Sequence, residues 1–234
     1  MAGDPGTLLF YEAQASRYAA EGSQRPHPAL AGFLARLAPG ARILELGCGA
    51  GNDAAAMLAA GFEVDPTDGS AALAQIATER LGRPVRVLRF EALEARAEYD
   101  AVWANASLLH VPRRALSGIL ALIHTALRPN GLFFASFKTG GPEGPDTHGR
   151  YFNRPDPAWL LQACGSGWEL LGLRLREGGG FGGEPAIWLH LILRRRAYCA
   201  SDRTAVSGAS ATEPARPSTD HSSSAAIVSG ATVP

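Results

Sequence analysis

The stretch Ile43-Leu44-Glu45-Leu46-Gly47-Cys48-Gly49-Ala50-Gly51-Asn52 joins an apolar run to a following helix through three alternate glycines. Such a junction predicts a ligand crevice at the carboxyl end of a strand, with backbone N–H groups turned into it. The glycines permit a tight turn and let a ligand approach the main chain where a Cβ would otherwise stand. The spacing is G-x-G-x-G, and Asn52 takes the place of the third glycine of the dinucleotide pattern G-x-G-x-x-G. Glu45 precedes the loop, and a carboxylate at that mouth repels a pyrophosphate but attracts a cation. Asp68 follows Gly47 by 21 positions, in GFEVDPTDGS, where an α/β nucleotide site places the carboxylate that accepts both ribose hydroxyls. Asp65 competes for that role. Asp68 is favoured because Gly69-Ser70 then opens a helix and gives the carboxylate a defined geometry.

A ligand with a ribose, a sulfonium and an ammonium but no phosphate suits these charges, and S-adenosylmethionine is such a ligand. Methyl transfer from it is an in-line displacement, in which positioning alone can supply roughly 7–11 kcal/mol. A base is needed only when the acceptor must lose a proton. His110, six residues beyond a strand ending at 104, is the candidate, because an imidazole titrates near neutrality. The competing role for His110 is structural, bonding a backbone carbonyl. Lys138 and the pair Arg150-Tyr151 are candidates to meet an anionic acceptor. Cys48, between two glycines with no base nearby in sequence, reads as a packing residue rather than a nucleophile.

The elements that must position these residues alternate between two periodicities. Helices are expected over 8–20, 28–37, 53–60, 71–81, 113–127 and 157–164, with Asn52 or Asp53 capping the third and Ser70 the fourth. Strands are expected at 41–46, from 62, at 84–90, 99–104, 132–137, 168–176 and 186–193. Pro129-Asn130-Gly131 reads as a turn that stops the long helix. Strand and helix alternate until the last two strands, which are close enough to form a hairpin. The expected fold is α/β, a doubly wound, mostly parallel, seven-stranded Rossmann-like sheet with a C-terminal antiparallel hairpin.

The whole chain has 234 residues, 46% of them hydrophobic, with 22 Lys+Arg against 22 Asp+Glu. Its pI near 7.0 lacks the cationic surplus of a general nucleic-acid binder. The run Arg194-Arg195-Arg196 reads as the solvated end of a strand. Cys48, Cys164 and Cys199 are widely spaced, so neither a metal site nor a disulfide framework is expected. No apolar run long enough to span a membrane occurs, and the N-terminus lacks the pattern of a secretory signal, so a cytoplasmic protein is expected. Two regions are expected: a domain over 1–198 and a disordered tail over 199–234, where Ala, Ser, Thr, Gly and Pro dominate.

With ELGCGAG followed by Asp68, residues 7–195 resemble a class I S-adenosylmethionine-dependent methyltransferase. The strings YDAVWANASLLHVP (99–112), SFK (136–138) and GRYFN (149–153) are similar to a bacterial tellurite-resistance-like, or methyltransferase-domain, subgroup. The resemblance implies that Glu45, Gly47, Cys48 and Gly49 line the methionine and ribose end, and that Asp68 with Gly69 holds the ribose. It also implies that Phe90, Glu91 and Ala92 flank the adenine, although many members carry Asp where this chain has Glu91. Asn105, Ala106 and Ser107 would border the methyl group, while Tyr11 and Tyr18 close the pocket. Asn105 is not followed by Pro-Pro-aromatic, which by resemblance disfavours nucleic-acid or glutamine acceptors. A small-molecule acceptor is the expectation. The alternatives are a nicotinamide oxidoreductase, a non-catalytic S-adenosylmethionine-binding module and a protein-modifying methyltransferase.

Overall fold

A computed structural model describes residues 3–197 apart from Ser23 and Gly182; Cys199 and the tail expected over 199–234 lie outside the described residues. The chain opens with α1 (Pro5–Glu21), whose N-cap Asp4 accepts from the Thr7 amide at 2.7 Å, with Pro5 at the first turn. Then follow α2 (Leu30–Leu34), β1 (Arg42–Leu46), α3 (Asn52–Ala59), β2 (Glu63–Asp68), α4 (Ala71–Leu81) and β3 (Arg86–Val87). The second half holds β4 (Tyr99–Ala104), α5 (Arg113–Ala126), β5 (Leu127–Thr139), β6 (Gly144–Pro145), β7 (Tyr151–Phe152), α6 (Pro157–Cys164), β8 (Trp168–Gly179) and β9 (Pro185–Arg195).

Seven strands form one sheet in the order β3-β2-β1-β4-β5-β9-β8, and β9 runs antiparallel to both its neighbours. The doubly wound expectation with a closing hairpin is met. β6 and β7 make a separate two-stranded ribbon. Alternation along β5 splits the core between two faces: Phe133, Ala135 and Phe137 face the cluster containing α5 and α6, while Leu132 and Phe134 face Leu30 and Phe33 of α2 and Met57 of α3. On this second face the Trp103 and Phe134 rings stack at 3.9 Å, and both side chains are fully buried.

Several boundaries differ from expectation. The helix expected over 28–37 is the short α2. The strand expected over 84–90 shrinks to Arg86–Val87 at the sheet edge; the chain then turns at Phe90–Ala92 in a 3-10 turn that brings Phe90 back over the strand ends. Pro129-Asn130-Gly131 does not stop a helix. α5 ends at Ala126, and the triplet forms a bulge inside β5, where pairing with β4 jumps from Tyr99↔Leu127 to Ala101↔Leu132 and Asn130 takes φ +66°. Neither Asn52 nor Asp53 caps α3; the N-cap is Gly51 at φ +81°. Ser70 does cap α4, accepting from the Leu73 amide at 3.1 Å. The arginine run ends β9 as expected, but Arg194 bonds Glu169, Arg195 the Leu127 carbonyl and Arg196 the Trp168 carbonyl.

Candidate functional site

A cavity of about 360 Å³ opens at the carboxyl ends of β1, β2 and β4, within the size range of small-ligand sites. The glycine loop forms its floor. Gly47, Gly49 and Gly51 all take positive φ, and a Cβ on Gly47 would stand 2.5 Å from that of Ser107. One expectation fails here. The loop amides do not point into the crevice, because Gly47 and Cys48 both donate to the Thr67 carbonyl and Gly49 donates to Asp68 Oδ2 at 2.8 Å. Parallel pairing of β1 with β2 consumes these donors, so the loop offers a ligand room rather than an anion-binding nest.

Five carboxylates line this cavity, and three of them, Glu45, Asp53 and Asp68, sit at the glycine loop and the strand ends beside it, apart from Asp4 and Glu91. Burial, reinforced by the charges of Asp53 and Asp68, holds the pKa of Glu45 well above the usual carboxylate range. Burial likewise pushes Asp68 up to about 6, against the amides of Ser70 and Gly49 that favour its ionised form. Asp65, the competitor for the ribose role, is engaged elsewhere by Arg86 at 2.8 Å and by the Tyr99 hydroxyl.

Asp53 is the functional side chain that sequence reading missed, having been assigned only to a cap. It accepts from the His27 amide at 2.6 Å, Trp103 Nε1 at 2.8 Å and Asn105 Nδ2 at 3.1 Å. Asn105 Oδ1 in turn accepts from Ser136 Oγ, which accepts from the Ala106 amide, both at 2.7 Å. This relay holds Ala106 at φ +51°, a left-handed conformation costly for a residue with a Cβ. The only sequence signal was the acid two positions after the last loop glycine. His27, also missed, lines the cavity beside it.

α1 crosses the cavity through Thr7, Leu8, Tyr11 and Tyr18. Glu12 of the same helix ties it down by accepting from the amides of Ala71 and Ala72 at the start of α4. Tyr11 and Tyr18 meet edge to face at 5.1 Å, and Tyr11 bonds His110 Nε2 at 3.0 Å. His110 Nδ1 lies 2.6 Å from the Tyr151 carbonyl, and burial pushes the imidazole pKa down to about 4. The segment 149–153 thus mounts His110 from behind, with Asn153 Nδ2 also donating to the carbonyls of Leu108 and Val111 at 2.9 Å.

The cavity lining therefore gathers Tyr11, Tyr18, Glu45, Gly47, Cys48, Gly49, Asp68, Gly69, Phe90, Glu91, Asn105, Ala106, Ser107 and His110. Ala92 is excluded: the 3-10 turn directs it to solvent. Lys138, Arg150 and Tyr151 are not on this lining either. Arg150 is spent on Asp146, at 2.6 Å, and lies over the rings of Phe10, Phe152 and Phe181; the Tyr151 hydroxyl is spent on Glu143. Burial raises the Cys48 thiol pKa, which fits a packing role.

Among the described residues, four buried side-chain atoms lack a hydrogen-bond partner, and three belong to cavity residues: Glu45 Oε2, Glu91 Oε2 and Ser107 Oγ. Glu45 Oε2 and Glu91 Oε2 can accept from an amine or face positive charge, Ser107 Oγ can accept or donate, and Asp68 lies on the same cavity. No described cluster of three His, Cys, Asp or Glu could hold a metal ion, and no described helix is long and apolar enough to cross a membrane.

A family model described as a methyltransferase domain matches residues 11–169. A search of curated proteins found no match. Among solved structures, the chain is similar to the 1,6-didemethyltoxoflavin-N1-methyltransferase of Burkholderia thailandensis, solved with 1,6-didemethyltoxoflavin and S-adenosylhomocysteine. Identity is 25%, the match covers 81% of this chain and 88% of that one, and the TM-score is 0.62. A SAM-dependent methyltransferase from Methanosarcina mazei is similar at 15% identity, covering 74% of this chain and 100% of that one, with a TM-score of 0.65. TehB from Haemophilus influenzae is similar at 13% identity, covering 80% and 67% respectively, with a TM-score of 0.60.

Proposed function

The chain belongs to the methyltransferase-domain family and is an S-adenosylmethionine-dependent enzyme; from that premise we propose that its acceptor is a small molecule and that the residues lining the cavity divide the work as follows. Asp68 accepts the ribose hydroxyls, Glu91 the adenine amine, and Glu45 faces the positively charged methionine end. Asn105, Ala106 and Ser107, held by the relay from Asp53, border the methyl group. The observation that carries this division is the set of three unpartnered buried atoms on one cavity, Glu45 Oε2, Glu91 Oε2 and Ser107 Oγ.

When bound, S-adenosylmethionine supplies a methyl carbon on a positively charged sulfur, so an acceptor lone pair forms the new bond as the carbon–sulfur pair returns to sulfur. The protein's part is positioning and exclusion of water. His110, kept neutral by burial and oriented by the Tyr151 carbonyl, presents the lone pair of Nε2 to the cavity. It serves as the base for an acceptor that arrives protonated, once the Tyr11 hydroxyl yields that nitrogen. A roof formed by α1 supports a small acceptor, because Tyr11 and Tyr18 narrow the space over the glycine loop.

Incubating the protein with cell extract and tritiated S-adenosylmethionine tests the acceptor class. Label is expected in the small-molecule fraction, with products identified by mass spectrometry. Label confined to protein or nucleic acid overturns the reading.

A further inference from the structure

Outside the cavity, the three C-terminal strands carry two cross-strand rows on one face. The register aligns Ser136 with His190 and His190 with Arg174, then Lys138 with Trp188 and Trp188 with Arg176. Paired residues of an antiparallel ladder share a face, as do residues two apart, so all six side chains emerge on the same side. It is the side of Phe134, which packs beneath α2 and α3, although at the strand ends Trp188 also packs against the cluster of Phe133, Phe137 and Phe152. His27 joins this face to the cavity: it lines the cavity, and its ring lies 4.9 Å from that of His190.

The face holds three cations, Lys138, Arg174 and Arg176, of which Lys138 is the informative one. The residue is only 8% exposed, yet among the described residues its ammonium makes no hydrogen bond and no ion pair within 4.0 Å. It rests over the rings of Phe152 at 4.8 Å and Trp188 at 5.7 Å. Aromatic faces attract a cation but carry no net charge to neutralise it, and an unpaired buried charge is costly. Burial, helped by the charges of Arg150 and Arg154, lowers the lysine pKa against the opposing charges of Glu184 and Asp146. Trp188 directs Nε1 to the Gly179 carbonyl at 3.2 Å and lies against Gly178, where a Cβ would stand 3.0 Å from the indole. Gly180 covers the ammonium and the neighbouring Glu184 carboxylate so closely that a Cβ there would overlap both Nζ and Glu184 Oε2.

We propose that this face binds the methyl acceptor and that the acceptor is an aromatic carboxylate, its anionic group on Lys138 and Arg176 and its ring against Trp188 and His190, next to His27 at the cavity edge. This rests on the small-molecule reading above and specifies its substrate class. The two arginines, exposed and on the outer strand, draw the anion in; Lys138, already desolvated, gives it a charge-assisted hydrogen bond.

Calorimetry on the full chain saturated with S-adenosylhomocysteine tests this, using 4-hydroxybenzoate and 2-naphthoate, their uncharged carboxamides, and sulfate. The carboxylates are expected to bind at least about tenfold more tightly than the amides, the scale of one hydrogen bond to a charged group. Lys138→Met should abolish that preference while S-adenosylhomocysteine affinity is retained. Gly180→Ala, which fills the space over Nζ without changing charge, and Arg176→Gln, at an exposed position, should each weaken carboxylate binding if Lys138→Met does not fold. Carboxylates no tighter than amides, sulfate as tight as the carboxylates, or folded variants that bind carboxylates like the wild type would each overturn the inference. Loss of S-adenosylhomocysteine binding by the wild type would instead strike the donor site, and labelled macromolecules the small-molecule reading.

Discussion

The Tyr11 hydroxyl meets His110 Nε2 at 3.0 Å although 99 positions separate the two residues. Because Nδ1 faces the Tyr151 carbonyl at 2.6 Å, it must carry the ring proton, which leaves the lone pair on Nε2 toward Tyr11 and the cavity. An imidazole so fixed is poised to receive a proton only from the cavity side.

His110→Gln should therefore lower turnover of a protonated acceptor by about 10²–10⁴-fold, the usual range for a positioned base, while S-adenosylhomocysteine affinity stays near wild type. Single-turnover rates set beside calorimetry check this. Equal loss of rate and cofactor binding would assign His110 to folding.

Asp68 ties cofactor affinity to pH. With burial raising its pKa to about 6 in the empty protein, the carboxylate is ionised at pH 7 and protonated below 6, and a ligand that needs the ionised form must then displace a proton. Affinity should fall by about tenfold per pH unit below 6 as Asp68 takes up its proton. His110 responds differently: its pKa near 4 keeps the neutral, proton-accepting form present across that window, so turnover at saturating cofactor stays flat. Asp68→Ala should cost roughly 1.5–3 kcal/mol of cofactor affinity and remove the part of the dependence centred near pH 6. Titrations between pH 5 and 8 decide it.

Gly47→Ala combines two penalties. The backbone there is at φ +79°, and the new Cβ would approach that of Ser107 to 2.5 Å. Strain of this kind costs about 1–3 kcal/mol, so a lowered melting temperature is expected together with weakened cofactor binding. Ser107→Gly in the same chain should recover part of the stability by removing the collision, but not the part due to φ.

Asp53→Ala would leave the Trp103 indole N–H, the Asn105 amide and the His27 amide without their shared acceptor. The unsatisfied Trp103 indole, fully buried, alone costs about 1–3 kcal/mol, so the melting temperature should fall. Asp53→Asn keeps one acceptor oxygen and should retain most of the stability. Its turnover should drop more than its cofactor affinity, because Asn105 and Ala106 are then held less firmly. Paired melting and kinetic measurements separate these effects.

Sequence alone was enough for what depends on neighbours along the chain. A period of two against 3.6, glycines after an apolar strand, Ser70 ahead of α4 and the distance from Gly47 to Asp68 are local properties, and they made the layer order, the glycine loop and the place of Asp68 beside that loop legible. The family resemblance likewise implied Tyr11, Glu91 and Ser107, all found on one cavity. Tertiary structure decided what depends on which strands become neighbours. Only the pairing of β1 with β2 shows that the loop amides are consumed by Thr67 and Asp68. The side-chain bonds of Asp53, read locally as a cap, join residues from 26 to 52 positions away. Pro129-Asn130-Gly131 carries turn chemistry in either setting, but pairing with β4 makes it a bulge. Lys138, Trp188 and Arg176 lie on three different strands, and the ladder alone aligns them. A polar side chain takes its partner from whatever folding brings within hydrogen-bond reach, and that choice is made between strands, where residue spacing along the chain carries no distance.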